Sequence, residues 1–356
     1  MNSRQRLLAV LDRQPVDRIP IDIWYTPEVF EVLAQHAGTR EPFEIYRRLG
    51  IDKIVWINPP YRGELPKPRS EGELVTLWGA RMKAQQTGNA EYAEYSWRPL
   101  ADADDADDDL AYPHWPDPEK FDIDDMERQV EAARGEFLTL GPWVSFFEIY
   151  CQMRGLEEAM CDVLAEPEML AAGLDKIEAI QTRLLERFLG RVGNRVDAIF
   201  YSDDMGSQSS LLISPDAWDQ HLAPRVRRWC DLVHSHGVRV FYHSDGAVDQ
   251  LIPRLIDCGI DILNPIQHRC PGMDRRHLKD AYGKKIIFHG GVDTQKALPF
   301  GTPDDVRQET RECLEILGEG GEGFICCSCH NIQAGTPLEN ILAMIETVHS
   351  HVPARV

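Results

Sequence analysis

The chain has 356 residues, 43% of them hydrophobic, and its 58 acidic against 38 basic side chains give a formal net charge of −20. That charge argues against nucleic acid and anionic membrane as partners, because both are bound through basic faces, and nothing approaches the roughly 18 consecutive apolar residues of a membrane span. The nine cysteines are odd in number and scattered, unlike a secreted disulfide framework, so reduced thiols and a cytoplasmic location are expected.

In chain order, Met1–Leu11 mixes Arg4 and Arg6 into an apolar helical pattern, which is no signal-peptide core. Short apolar runs at Ile19–Trp24 and Lys53–Ile57 read as strands. The interval from Pro59 to Arg134 is too long for one crossover helix. It holds two alternating stretches, Glu73–Lys83 and Glu91–Arg98, expected to pair as an antiparallel hairpin beside a barrel mouth, and six aspartates between Asp102 and Asp109, read as a solvated loop. Further strands are predicted at Phe137–Leu140, Val196–Tyr201, Val238–Tyr242, Asp261–Asn264, Ile286–His289 and Phe324–Cys327. Ser214-Pro215, Thr302-Pro303 and Thr336-Pro337 each place a capping hydroxyl before proline at the first helical position, and Thr336 with Glu339 spells a capping box. Eight strands alternating with helices predict one α/β domain over residues 1–356, a single (β/α)8 TIM barrel with the hairpin inserted between its second and third strands. An open doubly wound sheet is the alternative.

Barrel active sites form where the strands end at their carboxyl side, and there the sequence is chemically loaded. Glu148 follows the third strand; Ser202, Asp203 and Asp204 the fourth; His243, Ser244 and Asp245 the fifth; Asn264 ends the sixth; His289 and Asp293 follow from the seventh; Cys329, His330 and Asn331 from the eighth. His243 and Asp245, two apart at a strand end, face the same way, and with His330 they make a His/Asp/His set. Three protein ligands leave a fourth position open, as a catalytic zinc requires, although other divalent ions suit the same donors. The plainer reading is a hydrogen-bonded His243–Asp245 pair at the Gly246 turn. Cys326 and Cys327 must face opposite sides of a strand and are expected to pack; Cys329 is kept as a candidate ligand or thiol. Carboxylates crowded at Glu148, Asp203 and Asp245 repel one another, which favours a cation among them. The GEGGEG run at 318–323 precedes a strand and lacks the geometry of a phosphate loop.

The chain resembles the uroporphyrinogen decarboxylase superfamily, which holds tetrapyrrole decarboxylases and zinc-dependent, corrinoid-linked methyltransferases. The resemblance rests on RQRLLAVLDRQPVDRIPI at the start, GPW at 141–143, SDDMGSQSSLLISPDAW at 202–218, YHSDGAV at 242–248, FHGGVDTQ at 288–295 and CHNIQAGTP at 329–337. The decarboxylase branch implies an arginine-rich loop, an aspartate, a tyrosine, a serine and a histidine. Here Ile23-Trp24-Tyr25, Asn58, Glu148 and Asp203 stand in the first four places, and His330 alone matches. A substrate bearing eight carboxylates needs cationic clamps, whereas this mouth offers acids. The methyltransferase branch implies zinc on a His-x-Cys pair and a later cysteine; His243 matches the histidine, Asp245 replaces the first cysteine, and His330 falls at the second.

The resemblance therefore implies metal-dependent methyl transfer, with zinc on His243, Asp245 and His330, and a corrinoid on a separate protein, since no cobalamin-binding Asp-x-His-x-x-Gly motif occurs. Glu148, Asp203 and His330 are the expected catalytic residues and Asp204, Trp24, Asn264 and Asp293 the expected contacts to a small neutral or cationic substrate. A homodimer is expected from the same resemblance. Two other readings stay open: a metal-free decarboxylase of another acid using His330 and Asp203, and a non-catalytic ligand-binding relative.

Overall fold

The computed structural model describes residues 1–87 and 90–351. Ten strands occur there: β1 (Ile54–Trp56), β2 (Glu73–Val75), β3 (Arg81–Thr87), β4 (Ala90–Trp97), β5 (Leu138–Val144), β6 (Ala198–Ser202), β7 (Arg239–His243), β8 (Ile262–Asn264), β9 (Ile287–Val292) and β10 (Phe324–Ser328). Seven of them form a parallel sheet in the order β1-β5-β6-β7-β8-β9-β10, each joined to the next by a crossover containing helix. Strand alternation sorts the side chains. Ile54, Leu140, Phe200, Phe241, Ile262, Ile287, Ile325 and Cys327 fill the concave interior, while Ile199, Tyr201, Val240, Tyr242, Leu263, Phe288 and Cys326 pack outward under the helices. Cys326 and Cys327 thus lie in different cores, both fully buried.

The first expected strand, Ile19–Trp24, is not a continuous strand. The segment crosses between β10 and β1 with single parallel bridges, Ile21 to Cys326 and Tyr25 to Ile332. On the β10 side it exchanges backbone bonds: Cys326 N–H donates to Pro20 O, Asp22 N–H to Cys326 O and Ile332 N–H to Trp24 O. On the β1 side, side chains replace most of the ladder. Asp52 N–H still reaches Ile21 O, but Ile21 N–H donates to the Asp52 carboxylate, Ile54 N–H to Asp22 Oδ1, and Lys53 Nζ to Ile23 O. Backbone groups satisfied by carboxylates and an ammonium cannot also form a regular ladder.

The insertion holds a three-stranded antiparallel sheet, β2-β3-β4, instead of a plain hairpin. The predicted stretch Glu73–Lys83 is broken by a turn in which Thr76 N–H donates to Ala80 O; Gly79 takes φ +85°, and Trp78 turns inward to 4% exposure. Residues 88–89, between β3 and β4 in the chain, lie outside the described residues. The aspartate run is not all loop: Ala106–Ala111 forms a short helix, with Asp105 accepting from Asp107 and Asp108 N–H at its start. Ser214 and Thr302 cap their helices as the sequence predicts, Thr302 in a capping box with Asp305. Thr336 does not: helix Leu338–Ser350 starts at Pro337 without a side-chain cap, and the Thr336–Glu339 box is not formed. Among the described residues no helix is long and apolar enough to cross a membrane.

Candidate metal centre and aromatic pocket

Register sets the height of the site. Ser202 pairs with His243 and His243 with Asn264, so three interior-facing side chains share one level at the carboxyl ends of β6, β7 and β8. Above them opens a cavity of about 530 Å³, walled by Trp24, Tyr25, Trp56, Trp143 and Phe200, with Lys53, Ser202, His243, His330 and Asn331 as polar lining. Trp24 anchors the wall, its indole N–H donating to Asp22 Oδ2 at 2.9 Å while its ring packs on Trp56, Phe200 and His243 at centroid distances of 5.5, 6.1 and 5.8 Å.

His243, Asp245 and His330 come together at the rim, their ligand-capable atoms all within 4.8 Å of one another. Asp245 bridges the two rings, with Oδ1 3.9 Å from His243 Nε2 and Oδ2 3.8 Å from His330 Nε2. Gln267 fixes this loop, accepting from Gly246 N–H at 2.7 Å and donating to Asp245 Oδ1 at 3.3 Å. Burial pushes the Asp245 carboxyl above its ordinary range, against the pull of His243 and His330 and with the repulsion of Asp204. Asp204 stands on the same rim, Oδ1 3.7 Å from His243 Nε2 and bonded to Asp245 N–H at 2.9 Å.

Glu148 sits behind Ser202, whose hydroxyl donates to it at 3.0 Å, with Gln152 Nε2 at 3.3 Å. Burial, together with the charges of Asp204 and Asp203, raises this carboxyl to about 8. Asp203, expected in the reaction, turns away from the pocket. It is 1% exposed, its Oδ1 accepts from Ser145 Oγ (2.7 Å), Glu148 N–H (2.7 Å) and Phe146 N–H (3.2 Å), and the Tyr201 hydroxyl donates to Oδ2. The Phe146 and Glu148 amides open helix Phe147–Arg154, so the carboxylate serves as its cap, supplied from the end of β6.

Asn264 and Asp293, expected at the substrate, are also placed elsewhere. Asn264 is wholly buried between two histidines. Asp293 pairs with Arg269 at 2.9 Å and accepts from the backbone of Gln295, Lys296 and Ala297. Cys329 points its thiol at Ile266 O, 3.1 Å away, and burial raises it well above the ordinary thiol range. A second cluster, Asp22, His289 and Cys327, lies fully buried below the pocket. Asp22 there is saturated by Lys53 (3.0 Å), Ile54 N–H, the Trp24 indole and His289 (3.1 Å), which leaves no free lone pair for an ion. Burial opposes its ionisation, yet Lys53 and His289 hold the carboxyl well below its usual range. Sequence reading overlooked Asp22, Lys53 and Gln267; the signal for Asp22 was a charged residue set between Ile21 and Ile23 in an otherwise apolar run.

The sequence pattern of the family described as uroporphyrinogen decarboxylase (URO-D) matches residues 109–351. Among curated proteins the chain is similar to methylated-thiol–coenzyme M methyltransferase of Methanosarcina mazei, 29% identical over 142 residues that cover 39% of this chain and 34% of that protein. It is likewise similar to methylcobamide:CoM methyltransferase MtaA of Methanosarcina barkeri, 29% identical over 42% of this chain and 40% of that protein. Similarity to uroporphyrinogen decarboxylase of Chromohalobacter salexigens is lower, at 24%, but covers 99% of this chain and 98% of that protein. The chain therefore spans well under half of either methyltransferase's length in alignment and nearly all of the decarboxylase's. Among solved structures, a methyltransferase from Methanosarcina mazei shares the fold, with TM-score 0.70 and 19% identity across 98% of both chains.

Proposed function

This chain belongs to the uroporphyrinogen decarboxylase family, and from that premise we propose that it moves a methyl group between a small substrate and a corrinoid carried by a separate protein. The convergence of His243, Asp245 and His330 at the rim of an aromatic pocket carries this reading. We also take the Ile19–Tyr25 segment as the eighth stave of a closed (β/α)8 barrel, which would put the pocket at its carboxyl-end mouth.

The donors suit a divalent ion, zinc first: two imidazoles and a carboxylate leave one position open. One ligand atom from each of the three residues lies within 4.8 Å of the other two, with Asp245 presenting Oδ1 toward His243 and Oδ2 toward His330, so the three side chains would draw together around such an ion. Bound there, zinc supplies Lewis acidity that lowers the pKa of a coordinated acceptor group. The chain's own residues do the rest. Trp24, Trp56 and Phe200 hold the methyl-bearing group against apolar faces and keep water from it. Glu148 retains a proton at neutral pH and passes it through the Ser202 hydroxyl to the heteroatom left when a methyl group departs. Asp204 and Asp245 bias the mouth against anionic substrates.

The full-length alignment with decarboxylases is the observation favouring carboxylate chemistry. Among the described residues Lys53 is the one lysine or arginine lining the cavity, and it is tied to Asp22, so a carboxylate-rich substrate meets no free cation among them. Elemental analysis tests the metal: about one zinc per chain is expected in the wild type and a loss of it in Asp245→Ala. The absorbance of methylcobalamin with zinc-loaded protein and a panel of thiol, hydroxyl and amine acceptors tests the transfer. An unchanged corrinoid spectrum throughout would remove this function.

A further inference from the structure

Beneath the pocket a single file of hydrogen bonds runs inward from His243. Its Nδ1 lies 2.6 Å from Asn264 Oδ1; Asn264 Nδ2 lies 2.7 Å from His289 Nδ1; His289 Nε2 lies 3.1 Å from Asp22 Oδ2; and Asp22 Oδ1 lies 3.0 Å from Lys53 Nζ. Asp22, Asn264 and His289 are all 0% exposed, so water cannot substitute for any link. We propose that Asp22, His289 and Asn264 are positioning residues that fix His243 in its Nδ1–H tautomer and aim the bare Nε2 lone pair at the rim shared with Asp245 and His330.

The direction of every bond follows from one end. The Asp22 carboxylate faces the Lys53 ammonium, the Trp24 indole N–H and the Ile54 N–H, so it acts only as an acceptor and His289 must donate to it from Nε2. A second proton on His289 would add a charge to a dry interior already holding Lys53, and burial with that neighbour lowers its affinity for one. A neutral His289 therefore has Nδ1 bare and takes a proton from Asn264 Nδ2. The same Nδ2 also faces His289 O at 3.4 Å, an acceptor that holds the amide in this orientation independently of the ring. The amide oxygen is then turned to His243, whose Nδ1 must carry the hydrogen. Reversing the amide would set its oxygen against two acceptors, His289 Nδ1 and His289 O.

This inference deepens the proposed metal site, but its first test needs no metal. Long-range ¹⁵N–¹H correlation spectra of the histidines in chelator-treated full-length protein should show His243 with a protonated Nδ1 and bare Nε2, and His289 with the opposite arrangement. His243 found as the Nε2–H form would overturn the proposal, whatever the zinc content. In Asn264→Ala the His243 signals should move to a mixture of tautomers while His289 keeps its Nε2–H. An unmoved His243 in that variant would also overturn it. Zinc competition against a chromophoric chelator should show Asn264→Ala about 10–100-fold weaker than the wild type. An affinity equal to the wild type's in Asn264→Ala would reduce Asn264 to a packing role. A wild type that binds no zinc yet shows the expected tautomers would sink the proposed metal site and leave the positioning chain standing.

Discussion

Glu148 shows how far a residue's neighbours govern its chemistry. Its ordinary carboxyl would be ionised at neutral pH, yet burial and two nearby aspartates raise it to about 8. The folded chain thus holds this proton more tightly than the unfolded chain does. Its contribution to stability is complete below the ordinary carboxyl value and is lost as the pH climbs through about 8. Glu148→Gln, which cannot ionise, should therefore gain thermal stability relative to the wild type between about pH 5 and about pH 9. Parallel melting-temperature curves for the two proteins would show that the shift is absent. At this scale the strand ends were legible: His243, Asp245 and His330 were expected to meet, and their side chains do. The assignments of Asn264, Asp293 and Asp203 to substrate or reaction were reasonable from position alone, but each side chain is consumed by protein partners that position cannot reveal.

Among elements, helix Phe147–Arg154 depends on a residue from another strand. Phe146 at its start has no capping side chain, and the amides of Phe146 and Glu148 donate to Asp203 at the end of β6 instead. Asp203→Ala should cost about 3–5 kcal/mol in urea unfolding, because the Ser145 and Tyr201 hydroxyls and two helix amides would lose a buried acceptor together. A variant that lost activity but stayed within about 1 kcal/mol of the wild type would return Asp203 to the reaction. The contrast with Thr302 and Thr336 is instructive. Both precede proline, but only Thr302 forms its box with the residue three positions on; at Thr336 the helix begins one residue later, at Leu338 after Pro337, and the capping offset is missed.

For the whole molecule, the decisive feature is the seam between the two ends of the parallel sheet. Ile19–Tyr25 is held there by the buried Asp22–Lys53 pair and by backbone donors to Asp22 and Asp52, so polar side chains take over where a strand ladder stops. Lys53→Met would strand Asp22 in an apolar interior and is expected to destabilise the protein by about 3–5 kcal/mol. Hydrogen exchange should then locate the loosening in residues 19–25 and 52–54, and uniform protection there would show that the seam does not rest on this pair. Local pattern along the chain was sufficient to foresee seven of the eight expected strands, the opposite facing of Cys326 and Cys327, and the strand ends at which Ser202, His243 and His289 fall, since each depends on neighbours a few residues away. Which of those side chains open to the pocket, and which are spent on caps, seams and the chain of bonds under His243, was settled by contacts across sequence separations of 21 to 267 residues. Local pattern carries no record of such meetings, because a buried donor is satisfied by whatever acceptor the folded chain brings within reach.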